Sequence, residues 1–150
     1  MIIDTSALVA ILRDEPDATQ LIEAIRSTRL RRISAGTYVE LGIVIDRPGS
    51  PVASKRVDDF LAQMAITIEP FTASQARIAR DAYREYGKGS GHAAGLNYGD
   101  CFSYALAREL GEPMLFKGDD FAETDIPFVG PRVERRRLSE LIAAYRPQAV

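Results

Sequence analysis

The chain has 150 residues, a length that fits one ordinary domain with a buried core. Hydrophobic residues make up 46% and charged residues 27% of the sequence, which excludes a disordered protein. Apolar runs fall short of the ~18 residues that a membrane helix needs, and the first residues lack the basic segment of a secretory signal. The single cysteine cannot form an internal disulfide, so a reducing, cytoplasmic location is expected.

Short apolar segments alternate with amphipathic ones along the chain. Predicted strands lie near residues 1–3, 32–35, 66–68, 113–116 and 126–129. Predicted helices lie near residues 7–12, 16–25, 36–45, 52–64, 72–86, 101–110 and 133–145. Pro16 is expected in the first turn of the second helix. Because no tight hairpin signal occurs, we expect a three-layer α/β/α fold with a mostly parallel central sheet, spanning residues 1–130 and followed by a basic helical tail at 131–150.

Residues 87–99 form the clearest loop of the sequence, with five glycines and no proline. Such a composition predicts a mobile segment that can adapt to a ligand. Lys88 and His92 are candidates to contact a phosphate backbone, although solvated loop positions are the simpler explanation for both. Tyr98 is a candidate to stack on an unpaired base, and packing against the core is the alternative.

Acidic side chains recur where a strand or turn leads into a helix. They are Asp4, Glu40, Asp100 and the pair Asp119 and Asp120. Each has a plain structural explanation, because an acid can cap a helix, complement its dipole or form a turn. The explanation is weakest for Glu40, which interrupts a largely apolar helix. In a parallel sheet the carboxyl ends of the strands meet at one crevice, so these carboxylates are expected to converge there.

A cluster of this kind lacks a nearby positive charge in the sequence. The only histidine is His92, the only cysteine is Cys101, and Lys117 is the one base beside the acidic motifs. Grouped carboxylates are costly unless some stay protonated or a hard cation lies among them. Oxygen ligands suit Mg²⁺ or Mn²⁺, which activate water and offset charge on a phosphodiester. The sequence therefore predicts a metal-dependent phosphodiesterase, and Cys101 is expected to be a small buried residue.

The predicted roles follow from these positions. Asp4 and Asp100 are the first candidates for metal ligands, and Glu40 either binds the metal or orients a water that the metal activates. Asp119 or Asp120 is expected to complete the ligand set.

Three polar residues beside these acids are expected to support them. Thr5 and Ser6 are candidates to donate hydroxyl hydrogen bonds to a ligand or water, with helix capping as the alternative. Asn97 is expected to steady Asp100 and so to fix its geometry as a ligand.

The motifs together resemble a known family. The segments 1–8, 38–40, 96–105 and 115–121 are similar to a PIN domain of the VapC toxin type, and the similarity extends from Met1 to about Val129. The resemblance implies a Mg²⁺- or Mn²⁺-dependent endoribonuclease, usually a homodimer, in a type II toxin–antitoxin pair. It also implies inhibition by a small VapB-type antitoxin whose tail lies in the acidic groove.

The resemblance also assigns residues. Asp4, Glu40 and Asp100 match the acidic triad of the family, which makes them the implied catalytic residues. Asp119 and Asp120 both fall in the family's turn after the fourth strand, and Asp119 is the preferred fourth acid because it comes first after that strand.

Other functions compete with this interpretation. A receiver-like signalling module also has an acidic metal pocket, and Lys117 fits it, but the third strand ends in Glu69 and Pro70 where that module needs an aspartate. A catalytically silent PIN-like binding module and a metal-dependent phosphatase for small molecules are further alternatives. The arginine-rich segments 26–32 and 132–146 favour a nucleic acid polymer. The basic tail has three open roles: packing on the domain, joining a dimer interface or contacting RNA.

Overall fold

A computed structural model describes residues 1–47 and 49–130 of the chain. Five short strands form one sheet in the order β3-β2-β1-β4-β5, and every neighbouring pair is parallel. The strands are β1 (Ile2–Ile3), β2 (Arg32–Ser34), β3 (Thr67–Glu69), β4 (Met114–Leu115) and β5 (Phe128–Val129). The predicted parallel sheet is therefore confirmed, and β1 is its central strand.

Six α-helices surround the sheet in the described part of the chain. They are α1 (Thr5–Leu12), α2 (Ala18–Arg26), α3 (Ala35–Asp46), α4 (Pro51–Gln63), α5 (Ala73–Tyr86) and α6 (Asp100–Leu110). A 3₁₀ turn (Asp120–Glu123) follows β4. None of the described helices is long and apolar enough to cross a membrane. The predicted tail at 131–150, including its helix, lies outside the described residues.

The helices form two layers because successive strand residues point to opposite faces of the sheet. Ile3 packs into a core built with α1 to α4, whereas its neighbour Ile2 packs into a second core built with α5 and α6. Both isoleucines are fully buried. The two cores lie on the two faces of the sheet, which confirms the expected α/β/α architecture.

Local chemistry sets the ends of the helices that carry the acidic residues. Asp4 caps α1 by accepting a hydrogen bond from the backbone N of Ser6, and Ser34 caps α3 in the same way through Gly36. Gly111 ends α6 with φ of +63°, a left-handed conformation that glycine adopts without a Cβ penalty. These caps start α1 and α3 directly at the carboxyl ends of β1 and β2.

The structure corrects one local prediction. Pro16 lies before the second helix and not in its first turn, because α2 begins at Ala18. The backbone N of Ala18 donates to the carbonyl of Glu15 at 2.9 Å, and Asp17 has φ −93° and ψ 0°. This is the geometry of a type I turn, in which proline favours the second position.

The glycine-rich loop at 87–99 is tied to the core at its base. Gly87 and Leu96 form a bridge, with the N of Lys88 bonded to the carbonyl of Leu96 and the N of Leu96 bonded to the carbonyl of Tyr86. Leu96 is fully buried and belongs to the core beneath α5 and α6. The loop therefore delivers Asp100 from an anchored base.

Candidate active site

Asp4 lies at the centre of the acidic site because it follows the central strand. Its backbone N donates to the carbonyl of Leu115 at 2.9 Å, which holds it between β1 and β4. The side chain is 2% exposed. Oδ2 accepts from the backbone N and the Oγ of Ser6 at 2.9 and 2.7 Å, and Oδ1 accepts from the Oγ of Ser103 at 2.7 Å. The carboxylate is thus fixed by protein hydrogen bonds at both oxygens.

Glu40 projects from α3 toward the same place. Its Oε2 accepts a hydrogen bond from the Oγ1 of Thr5 at 2.6 Å, and its carboxylate packs against Gly99, where an added Cβ would lie 2.1 Å from Oε1. Burial raises the pKa of Glu40, the hydrogen bond from Thr5 opposes this shift, and the charge of Asp4 adds to it. Glu40 therefore points from this largely apolar helix toward the other carboxylates.

Asp100 is the first residue of α6 and is 9% exposed. The backbone N of Asn97 donates to Oδ2 at 2.7 Å, and the Oδ1 of Asn97 accepts from the backbone N of Asp100 at 3.0 Å. Burial raises the pKa of Asp100 to about 7, and the negative charge of Asp4 adds to the shift. Asn97 lowers the pKa, whereas Asp120 and Glu40 raise it further. The carboxylates of Asp4, Glu40 and Asp120 therefore all act electrostatically on that of Asp100.

The paired acids after β4 occupy different positions. Asp119 precedes the 3₁₀ turn and is partly buried, whereas Asp120 is the first residue of that turn and is exposed. Asp120 contributes to the raised pKa of Asp100, so its charge acts on the cluster. Both residues follow β4, the strand that lies beside β1 in the sheet.

Cations do not neutralise the cluster within the described part of the chain. Asp4, Glu40 and Asp100 take part in none of the ion pairs found there. The nearby Lys117 directs its ammonium group to Glu15 and Asp17, at 2.9 Å from the latter. Only its backbone N reaches the site, by donating to the Oγ of Ser6 at 3.0 Å.

Several residues of the site were absent from the predictions. Ser103 and Thr37 are fully buried behind Asp4, and Gly99 provides the space that the Glu40 carboxylate fills. A signal for two of them exists in the sequence: Ser103 lies three residues after Asp100 and Thr37 three residues before Glu40, so each shares a helix face with an acid.

The predicted substrate contacts are exposed residues of the loop at 87–99. Tyr98 is 77% exposed, and its ring makes an edge contact with Phe102 at 5.1 Å between centroids. Lys88 is exposed in the loop. His92 is exposed too, but its Nδ1 accepts from the backbone N of Ala94 at 3.1 Å and its ring contacts Tyr86 at 4.8 Å. His92 thus also has a structural part in shaping the loop.

Cys101 behaves as the sequence predicted. It is 5% exposed, and its Sγ lies 3.4 Å from the carbonyl of Asn97. Burial raises the pKa of the thiol to about 11, and the adjacent Asp100 adds to the shift. A neutral, buried thiol is a poor nucleophile, so the chemistry of the site belongs to the carboxylates.

A groove of about 480 Å³ adjoins the acidic cluster between α3 and α6. Its walls are mainly apolar, with one acid and one base: Gly36, Val39, Glu40, Ile43, Val44, Arg47, Tyr98, Gly99 and Phe102. Val39 and Ile43 are each 58% exposed, so the groove opens to solvent. Glu40 connects this surface to the acidic cluster.

The acidic side chains of the site are suitable donors for a divalent ion. Among the described residues, no three His, Cys, Asp or Glu side chains are close enough together to form a ready-made metal cage. Mg²⁺ does not require one, because it keeps several of its waters and takes few protein carboxylates. The donors here are carboxylate oxygens that pair with no cation in the described chain, and they include no imidazole or thiolate. Such an ion prefers donors of this kind. The residues present therefore fit a hydrated divalent cation.

Comparison with known proteins defines the class. The model of the PIN domain family matches residues 1–127, so the fold that carries these acids is a PIN domain. Ribonuclease VapC28 of Mycobacterium tuberculosis is 51% identical over 126 residues, which cover 84% of this chain and 95% of the relative. Ribonuclease VapC42 of the same species is 52% identical over 126 residues, covering 84% and 96%. The chain therefore belongs to the PIN-domain family, within its VapC ribonucleases.

Solved structures share the fold at low sequence identity. M. tuberculosis VapC20, described as a toxin that cleaves the sarcin–ricin loop, has a TM-score of 0.70 and 16% identity, covering 87% of this chain and 98% of that one. A toxin–antitoxin complex from Klebsiella pneumoniae has a TM-score of 0.61 and 19% identity, covering 81% and 89%.

Proposed function

We propose that this VapC-family ribonuclease is a cytoplasmic, Mg²⁺- or Mn²⁺-dependent endoribonuclease and the toxin of a type II toxin–antitoxin pair. The observation that carries the metal dependence is the convergence of Asp4, Glu40 and Asp100 without a neutralising cation in the described chain. Burial and neighbouring like charges disfavour the ionised form of a carboxyl group, and an opposite charge favours it. A bound divalent cation supplies that charge.

The side chains divide the work by their positions. Asp4 and Asp100, the most buried acids, would hold the cation, with Asp119 or Asp120 at its outer side. Glu40, held by Thr5 and beside the open groove, would orient the attacking water through its carboxylate. When bound, the cation lowers the pKa of water and offsets charge on the phosphodiester.

The surroundings of the cluster suit single-stranded RNA. Tyr98 presents an open ring two residues before Asp100, which suits stacking on an unpaired base. Lys88 and His92 lie exposed in the same anchored loop, where they can contact the backbone. A base held at Tyr98 would leave the adjoining phosphate near the carboxylates.

Cleavage of a labelled single-stranded RNA by the purified chain tests this function. Activity is expected with Mg²⁺ or Mn²⁺ and lost on chelation. Asp4→Asn and Asp100→Asn should abolish cleavage. Their circular dichroism spectra should remain those of a folded protein, and their thermal melting should stay cooperative. Asp81→Asn, the same change at an exposed helix residue, is the matched control and should cleave normally. Unchanged cleavage by either site variant at millimolar metal would disprove the assignment, as would cleavage in excess chelator.

The groove between α3 and α6 is the proposed site for the tail of a VapB-type antitoxin. Its apolar walls suit a partner's hydrophobic side chains, and Glu40 at its end suits a basic one. The similar fold in a toxin–antitoxin complex from K. pneumoniae supports such a partner. Co-expression with the neighbouring small open reading frame should give an inactive complex.

A charged substitution tests where the antitoxin binds. Ile43→Asp should weaken the complex because Ile43 lines the groove at 58% exposure. Leu110→Asp, at the far end of α6 and 44% exposed, is the control and should leave the complex intact. Equal weakening by both variants would place the antitoxin elsewhere.

The expected homodimer has a candidate contact on α5. Ala76, Ala79 and Tyr83 line a separate hollow of about 350 Å³ and lie at helical spacing on one side of α5. Small residues beside an aromatic ring allow a second helix to approach closely, as in a two-fold contact with the same face of another copy. Light scattering should show a dimer for the wild type and a monomer for Tyr83→Glu. Val52→Glu, at a position 72% exposed on α4, should remain dimeric.

A further inference from the structure

Two buried hydroxyl groups form a chain that ends on Asp4. The Oγ1 of Thr37 lies 3.0 Å from the Oγ of Ser103, and that Oγ lies 2.7 Å from the Oδ1 of Asp4. Thr37 and Ser103 are both 0% exposed. The chain therefore has no competition from bulk water.

The direction of these hydrogen bonds follows from proton count. A carboxylate only accepts, so the single hydroxyl proton of Ser103 goes to Asp4. Ser103 then has only lone pairs to offer Thr37, and Thr37 is the donor in the bond between them. Protons thus point from Thr37 through Ser103 to Asp4, and each bond strengthens the next.

The chain joins the three elements that carry the acidic triad. Thr37 lies one turn before Glu40 on α3, and Ser103 lies one turn after Asp100 on α6. Among the described residues, the other side-chain oxygen of Asp4 is held only by Ser6, two residues along the same segment. The hydroxyl chain is consequently the hydrogen-bonded link between Asp4 and the two helices that bring in the other acids.

We propose that Thr37 and Ser103 are positioning residues, which fix the Oδ1 of Asp4 relative to Asp100 and Glu40 and thereby set the affinity of the site for a divalent cation. This inference rests on the proposed function. It requires the hydroxyl group of Thr37 and not merely its volume, because only the hydroxyl can donate to Ser103 and so strengthen the hydrogen bond from Ser103 to Asp4.

Two substitutions at Thr37 separate the need for its hydroxyl group from the need for its volume. Thr37→Val keeps the shape and removes the hydroxyl, whereas Thr37→Ser keeps the hydroxyl and removes a methyl group. Calorimetry with Mn²⁺ alone, on the full chain without RNA, should show about tenfold weaker binding for Thr37→Val, the scale for residues that orient metal ligands. Thr37→Ser should bind Mn²⁺ within about twofold of the wild type on the same scale. The turnover number on RNA should fall in the same order, with KM unchanged.

Substitution of Ser103 provides an independent test of the same proposal. Ser103→Ala should weaken Mn²⁺ binding at least as much as Thr37→Val does, and the double variant should be no worse than Ser103→Ala, because the effect of Thr37 on Asp4 passes through Ser103. Additive losses, or equal Mn²⁺ affinities of Thr37→Val and Thr37→Ser, would overturn the positioning role. A wild-type protein that cleaves RNA without binding Mn²⁺ or Mg²⁺ would instead overturn the proposed function, so the two failures are distinct.

Discussion

The carboxylate of Glu40 fills the space beside the α-carbon of Gly99, where a Cβ would lie 2.1 Å from Oε1 and 2.4 Å from Cδ. Gly99 has φ −64°, an ordinary helical conformation, so its requirement is one of space alone. Gly99→Ala should therefore displace Glu40 from its bond with Thr5 and lower RNA turnover by about 10²-fold, the scale for a small misplacement in an active site. Single-turnover cleavage measures this directly.

Gly42→Ala is the control for that substitution. An added Cβ at Gly42 would approach only the Oδ2 of Asp46, at 3.9 Å, and the site lies in the interior of α3. Alanine is the better helix former by about 1 kcal/mol, so this variant should melt a few degrees higher and cleave normally. Equal activity of the two alanine variants would show that Glu40 does not need its position against Gly99.

The raised pKa of Asp100 predicts a pH dependence of stability. The folded state holds the proton of this carboxyl up to its raised pKa of about 7, whereas an unfolded chain releases it near the ordinary aspartate pKa of 3.8. Between these limits the folded state binds more protons, so a rise in pH destabilises the metal-free protein. Thermal melting of the wild type relative to Asp100→Asn should therefore show a declining difference across this window and a constant one above it.

Metal binding should reverse this trend. A cation binds the ionised carboxyl, so the increase in melting temperature caused by Mn²⁺ should be larger above the pKa of about 7 than below it. Differential scanning fluorimetry with and without Mn²⁺ measures the increase at each pH. An increase that is independent of pH, or that persists in Asp100→Asn, would remove Asp100 from the proposed ligands.

The sequence identified the acids of the site but not the contacts that assemble them. Asp4, Glu40 and Asp100 are recognisable because an acid that follows a strand, interrupts an apolar helix or opens a helix has few explanations other than capping and metal binding. The packing of Glu40 on Gly99 depends on the distance between α3 and α6. That distance is set by residues far apart in sequence, including Gly36, whose added Cβ would lie 2.3 Å from the ring of Phe102.

The strands show the same limit. The apolar run at 113–116 predicted the place of β4, but only Met114–Leu115 pair with β1. Strand length is set by the partner, and β1 itself has two residues before Asp4 begins the cap of α1. Pairing partners are a property of the folded sheet, which is why the run alone predicted a longer strand.

Asp120 offers a test of the electrostatic interaction between the acids of the site. Its negative charge raises the pKa of Asp100, so Asp120→Asn should lower that pKa. The acid side of the pH profile of cleavage should move to lower pH, and the move should shrink in high salt because Asp120 is exposed. Asp81→Asn on α5 is the control for a charge change remote from the site. If the acid side of the pH profile of cleavage does not move in Asp120→Asn, the charges of Asp120 and Asp100 do not interact.

The same pair of acids can be ranked as metal ligands. The order after β4 favours Asp119, and Asp119→Asn should then weaken Mn²⁺ binding more than Asp120→Asn does. Calorimetry with Mn²⁺ on both variants makes the comparison without RNA. A greater loss with Asp120→Asn would transfer the role of fourth acid to that residue.

Tyr98 predicts a separation between binding and chemistry. Its ring is braced at its edge by Phe102 and is 77% exposed, so it is available for stacking without a change in the fold. Loss of one base–aromatic contact costs about 1–3 kcal/mol, so Tyr98→Ala should raise KM for single-stranded RNA by about tenfold with little effect on turnover. Tyr98→Phe keeps the ring and should retain the wild-type KM. Equal KM values for Tyr98→Ala and Tyr98→Phe would show that the ring does not stack on the substrate, because the two variants differ in that ring alone.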